Sequence, residues 1–133
     1  MRFSELDRFR NRYPQLSSYI AAAEDYLQEL LARPKPVEIV PSLVAQRLSV
    51  DEELVLSVLL LFDEAGIIEP RYQVRCSDSD GVLLEFKTLR EIPERLYCPY
   101  HGRDHDRSDY YVELVFIFRP STIERYSKAL SGR

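Results

Sequence analysis

The sequence predicts an α+β protein, with helices in the N-terminal half and antiparallel strands and a last helix in the rest. Three observations predict this class. Apolar residues between Leu16 and Leu31 recur at the spacing of one helix face, and those between Asp51 and Ala65 do the same. Beyond Gly66 the apolar runs shorten to the length of strands, and Tyr110 to Phe118 is the strongest of them.

Length and composition narrow the classes of protein to consider. The chain has 133 residues, of which 45% are hydrophobic, so it can build a core without disulfides. Its formal net charge of −4 disfavours binding by neutralisation of phosphates. No apolar run approaches the roughly 20 residues of a membrane span, and the N-terminus lacks the apolar centre of a signal peptide. We therefore expect a cytoplasmic protein without a membrane partner, whose two cysteines are thiols or metal ligands.

A helix-turn-helix pattern precedes the first strands. Pro41 to Arg47 is predicted as a short helix, Leu48 to Val50 as a turn and Asp51 to Ala65 as a long helix. Ser49 and Glu52 have the spacing of a capping box, which predicts that Ser49 starts the long helix. The order of short helix, turn, long helix and strand is typical of one class of small domain.

The stretch from Val37 to Cys76 resembles a winged helix, in which the long helix normally reads the DNA major groove. Such a helix presents Arg, Lys, Asn or Gln to base edges. In this chain the solvent side of the long helix carries acids and leucines instead. This composition predicts contact with a protein partner. Another segment of the same chain is an equal candidate to cover the leucines. The predicted partner-binding residues are Glu52, Glu53, Leu56, Leu60 and Glu64.

The strand predictions complete the fold. The wing is the strand region that Ile67 and Ile68 begin, and Val37 to Val40 is expected to be a short strand that pairs with it. Arg71 to Arg75 and Val82 to Phe86 are predicted as strands joined by a turn. Tyr110 to Phe118 is apolar on both faces apart from one glutamate, which predicts a buried, central strand. A C-terminal helix is predicted to start near Pro120.

Every cysteine and histidine of the chain lies between positions 76 and 105. Cys98 to Gly102 has the shape of a zinc knuckle with a histidine as its second ligand, and Cys76 to Gly81 has the shape of a second knuckle with Ser79 in place of the second cysteine. This part of the chain resembles a zinc ribbon. We therefore predict a winged-helix domain over residues 1–75 and a ribbon-like β lobe, with the C-terminal strand and helix, over 76–133.

One structural zinc ion is the cofactor that the resemblance implies, and the predicted metal ligands are Cys76, Cys98, His101 and His105. Because Ser79 departs from the ribbon pattern, Asp78, Asp80 and Asp104 remain weaker candidates for the fourth ligand. Two alternatives stay open: a lobe that kept its shape after losing the metal, or a polar loop without a site. No protease, deaminase or phosphate-loop signature occurs, so no enzymatic activity is predicted.

These observations favour a non-enzymatic adaptor that binds a protein partner or a second copy of the chain. Small winged-helix proteins of this type resemble accessory subunits of prokaryotic multi-protein systems, including defence systems. The rival hypothesis is a DNA-binding regulator whose phosphate contacts come from the wing and the basic N-terminal arm. The residues predicted to carry those contacts are Arg8, Arg12, Arg71 and Arg75.

Overall fold

A computed structural model describes residues 2–35 and 37–131 and confirms the α+β class. The helices are α1 (Asp7–Arg12), α2 (Ser17–Leu31), α3 (Pro41–Leu48), α4 (Glu52–Glu64) and α5 (Pro120–Ser131). The strands are β1 (Ile68–Cys76), β2 (Val82–Phe86), β3 (Leu96–Cys98), β4 (Arg103–His105) and β5 (Tyr110–Phe118). Among the described residues, no helix is both long and apolar enough to cross a membrane.

The chain forms two compact units. The first combines Met1–Glu69 with Phe116–Arg133, and the second is the intervening segment Pro70–Val115. The strands β1 and β5 each begin in one unit and end in the other. The second unit is therefore an insertion between the two chain segments of the first unit. The predicted domain boundary between residues 75 and 76 stays a prediction.

The turn between α3 and α4 differs from the predicted capping box. Ser49 has a φ of 57° and ends α3 in the left-handed conformation, with its N–H donating to the Gln46 carbonyl. The N-cap position of α4 belongs to Asp51, whose side chain makes no capping hydrogen bond. The prediction that Ser49 caps α4 was therefore wrong, because a residue that closes one helix in the left-handed region cannot also start the next.

The long helix α4 buries the face that its apolar spacing predicts. Val55, Val58, Leu59 and Phe62 are buried, whereas Glu52 and Glu53 in the first turn are exposed. Residues three and four apart share a helix face, so one apolar side packs into the first unit and the other side meets solvent.

The N-terminal segment belongs to the core of the first unit. Phe3, Leu6 and Phe9 are all buried. The Arg10 guanidinium lies 2.9 Å from the Glu24 carboxylate, and the backbone N–H of Phe3 donates to the same carboxylate at 2.8 Å. A buried charge is stable in such a place only when it is paired and hydrogen-bonded. The Glu24 carboxylate therefore connects the N-terminal segment, through Phe3 and Arg10, to α2.

The three-stranded sheet has the order β2, β1, β5, so β5 is an edge strand. The prediction of a buried, central strand was wrong in this respect. On the outer side of β5, Phe116 forms a single bridge with Ile39. The predicted strand at Val37 to Val40 therefore reduces to this one bridge, which is made to β5 rather than to the wing. Val115 is buried, but Tyr111 and Val112 are each 39% exposed, so the apolar character of β5 reflects burial at its C-terminal half.

Candidate metal centre

The two-stranded hairpin of β3 and β4 brings two of the predicted ligands to one face. Its antiparallel register sets Leu96 opposite His105 and Tyr97 opposite Asp104. Because side chains alternate along a strand, Cys98 and His105 point inward with Leu96 and are buried. Asp104, one of the weaker ligand candidates, points outward with Tyr97 and is exposed.

The turn that joins β3 to β4 carries a third predicted ligand. Gly102 has a φ of 67°, which is the left-handed region where glycine has no steric cost. Its N–H donates to the Cys98 carbonyl at 2.8 Å and closes the turn. His101, just before this glycine, is thereby directed back toward Cys98, with 3.5 Å between its Nδ1 atom and the cysteine Sγ atom.

A second turn surrounds Cys76 at the end of β1. The Asp80 N–H donates to the Cys76 carbonyl at 2.8 Å, and Asp80 has a φ of 57°. Hydrogen bonds from the Ser79 hydroxyl and from the backbone amides of Ser79 and Asp78 lower the pKa of the Cys76 thiol to about 6, against the opposing effect of burial. Ser79 therefore supports the thiolate of Cys76 from the position where a zinc ribbon would have its second cysteine.

The two turns also pack against each other. A methyl group placed on Gly81, in the turn after Cys76, would overlap the ring of Tyr100 in the turn after Cys98. Glycine at position 81 thus lets the aromatic ring of Tyr100 approach the backbone closely.

The four predicted ligands converge on one point. Their donor atoms all lie within 4.8 Å of one another. The Cys76 sulfur lies 3.4 Å from the ligand nitrogens of both histidines, and those two nitrogens are 3.1 Å apart. The residues that contribute these atoms are Cys76, Cys98, His101 and His105.

Four of the six separations are close to those of a tetrahedral site. With Zn–S bonds of about 2.3 Å and Zn–N bonds of about 2.05 Å, tetrahedral geometry places sulfur and nitrogen about 3.5 Å apart and two nitrogens about 3.3 Å apart. In the structure, three of the sulfur-to-nitrogen distances are 3.4, 3.4 and 3.5 Å, and the nitrogen-to-nitrogen distance is 3.1 Å. The group could therefore hold a metal ion such as zinc.

Each histidine has a carboxylate near the ring nitrogen that faces away from the cluster. His101 Nε2 lies 3.2 Å from Asp78 Oδ2, and His105 Nδ1 lies 3.7 Å from Asp109 Oδ2. His105 is buried, and its Nδ1 atom has no hydrogen-bond partner among the described residues. Carboxylates in such positions fix the ring orientation of metal-bound histidines. The sequence alone did not identify these two roles, because short spacing in a loop does not predict contact.

The predicted partner-binding residues lie along the solvent side of α4. Leu60 is 52% exposed and Leu56 is partly buried. Among the described residues of the first unit, no segment covers Leu60, whereas the alternative to a partner site required such a segment. The surrounding carboxylates of the set, Glu52, Glu53 and Glu64, are all exposed.

Two of the arginines predicted to contact nucleic acid are engaged with carboxylates. Arg75 Nε lies 2.9 Å from Glu113 Oε2, and Arg71 Nε lies 3.8 Å from Glu85 Oε1. Arg8 and Arg12 are exposed in the first unit, where each guanidinium stacks over the aromatic ring of the residue that follows it.

In comparisons with known proteins, no protein-family model, no curated protein and no solved structure matches the chain.

Proposed function

We propose that the chain is a non-enzymatic interaction module, built on a winged helix and a ribbon-like lobe that one structural zinc ion holds together. The convergence of the four donor atoms of Cys76, Cys98, His101 and His105 within 4.8 Å supports the zinc ion of this proposal. Lone pairs of two sulfurs and two imidazole nitrogens repel one another at such separations unless protons or a cation lie between them.

The ligand set favours a structural role over a catalytic one. Structural zinc sites have four protein ligands, whereas catalytic zinc sites keep one position open for water or substrate. Two thiolates with two imidazoles also suit tetrahedral zinc better than the oxygen-seeking cations magnesium and calcium. The ion would connect the turn after β1 with the β3–β4 hairpin, which is a small hairpin of three-residue strands.

The solvent face of α4 supports the proposal of a protein partner. An exposed leucine, Leu60, with the partly buried Leu56 one turn away, gives an apolar strip, and the exposed glutamates on the same helix surround it with negative charge. Such a face would repel the phosphates of a duplex and would favour a protein surface with an apolar groove and a basic rim.

Substitution on this face tests the adaptor hypothesis. We expect Leu60→Asp and Leu56→Asp to abolish association of the full chain with its partner, or with a second copy, while far-ultraviolet circular dichroism stays unchanged. Leu84→Asp is the matched control, because Leu84 is 50% exposed but lies on β2. Co-purification from the native host and sedimentation of the purified chain are the two readouts. An association that survives both α4 substitutions would contradict the proposed surface.

A further inference from the structure

The outer edge of β5 is open in the second unit. On one side β5 is hydrogen-bonded to β1, and on the other no strand among the described residues pairs with it between Tyr110 and Val115. An unpaired strand edge offers a row of backbone donors and acceptors to another extended chain. This edge therefore has the basic requirement for strand addition.

Alternate residues of β5 direct their backbone groups to that open side. The Ser77 N–H donates to the Asp109 carbonyl at 3.0 Å, so residue 109 faces β1. In a strand, the N–H and C=O groups of one residue point to the same side, and those of the next residue point to the opposite side. The odd-numbered residues of β5 consequently face β1. The residues that face outward in the second unit are Tyr110, Val112 and Leu114.

A cavity of about 380 Å³ lies beside this edge. Among its lining residues are Leu89, Ile92 and three consecutive residues of β5, Tyr110 to Val112. Consecutive side chains lie on opposite faces of a sheet, so a cavity that touches all three lies at the edge and not on one face. Leu89 is 58% exposed, which leaves apolar surface for an incoming side chain.

The cavity also has one cationic residue, Arg107. Arg107 is exposed and makes no ion pair with any residue that the structure describes. An exposed, unpaired guanidinium beside an apolar cavity complements a carboxylate. A second copy of β5 is a poor match, because its one carboxylate, Glu113, already lies 2.9 Å from Arg75.

We propose that the edge of β5 from Tyr110 to Leu114 binds an extended segment of a partner protein as an additional strand. An apolar side chain of the segment would enter the cavity, and an acidic residue near it would pair with Arg107. In this mode the backbone hydrogen bonds supply affinity, and pockets for alternate side chains supply specificity. The site is independent of the α4 face, so either can exist without the other.

The test uses the full chain and an array of ten-residue synthetic peptides in which threonine alternates with apolar residues and one position carries glutamate or lysine. We expect a subset of the glutamate peptides to bind. N-methylation of the peptide amides that face β5 should weaken binding at least about tenfold, because each loses a backbone hydrogen bond. N-methylation of the intervening amides should leave it unchanged.

Arg107→Glu provides the matched variant of the protein. It should shift the preference from glutamate to lysine peptides by at least about threefold, which is the size expected of an exposed ion pair. Failure of every peptide in the array to bind, or binding that is insensitive to the position of N-methylation, would overturn the proposal. Concentration-dependent dimerisation lost in Arg107→Glu would also overturn it, since the edge would then bind a second copy.

Discussion

The Nδ1 atom of His101 lies 3.1 Å from the Nε2 atom of His105, and both nitrogens lie 3.4 Å from the sulfur of Cys76. Where no proton lies between them, two imidazole nitrogens and a sulfur at these distances point their lone pairs into a common space. A cation at the centre would convert this repulsion into four ligand bonds when Cys98 completes the set.

The carboxylate near the buried histidine is expected to tune zinc affinity. In Asp109→Asn, His105 Nδ1 loses its nearest carboxylate, so the ring is less firmly oriented and less basic. We expect the zinc affinity, measured by competition with a chelator, to fall about 10- to 100-fold. The cobalt-substituted variant should keep its thiolate-to-cobalt absorption, because both sulfurs remain. Wild-type affinity in Asp109→Asn would show that this carboxylate does not act on the site.

The choice of ligands can be tested inside one hairpin. Cys98→Ser removes a buried sulfur from the cluster, so the variant should lose its zinc and its melting temperature should fall. Asp104→Asn is the matched control, since Asp104 points outward and is exposed. It should retain one zinc ion per chain and the wild-type melting temperature. Loss of zinc from the control, with retention in Cys98→Ser, would require a different ligand set.

The buried ion pair of the first unit should have a large effect on stability. Glu24→Gln leaves the Arg10 guanidinium without its buried partner, so we expect the free energy of unfolding to fall by about 3 kcal/mol. Glu29→Gln removes a pair with Arg47 in which both side chains are 55% exposed, and should cost less than about 1 kcal/mol. Urea unfolding followed by circular dichroism measures both. Equal losses in the two variants would contradict a buried, structural role for Glu24.

Duplex binding separates the adaptor hypothesis from the DNA-binding one. The carboxylates beside Arg71 and Arg75 and the acids on α4 lead us to expect no binding of a DNA duplex at about 50 mM salt. Fluorescence anisotropy across a salt series gives the measurement. Tight binding that weakens steeply with salt and disappears in Arg71→Ala and Arg75→Ala would establish the regulator instead.

Periodicity predicted the helical part of the fold well. The core face of α4 follows from local spacing, which depends on helix geometry alone. Ser49 was assigned to the wrong helix because the Ser-x-x-Glu spacing carries no information on backbone conformation, and Ser49 has a φ of 57° that ends α3. The edge position of β5 depends on which strands meet in the folded chain, and its apolar composition carries no information on that.

The cluster of Cys76, Cys98, His101 and His105 was predictable because its members have rare, chemically distinct side chains within a short segment. Their spacing around Gly102 indicated a turn, and the structure forms that turn. Asp109 could not be assigned in this way. Aspartates are common in the same loop, and only the fold shows which of them lies near a histidine nitrogen.

Metal content is the most direct test of the central claim. Native mass spectrometry of the full chain, purified without chelators, should show one zinc ion per chain, and removal of that ion by a strong chelator should lower the melting temperature. A metal-free protein whose melting temperature is unchanged by added zinc or by chelator would contradict the account.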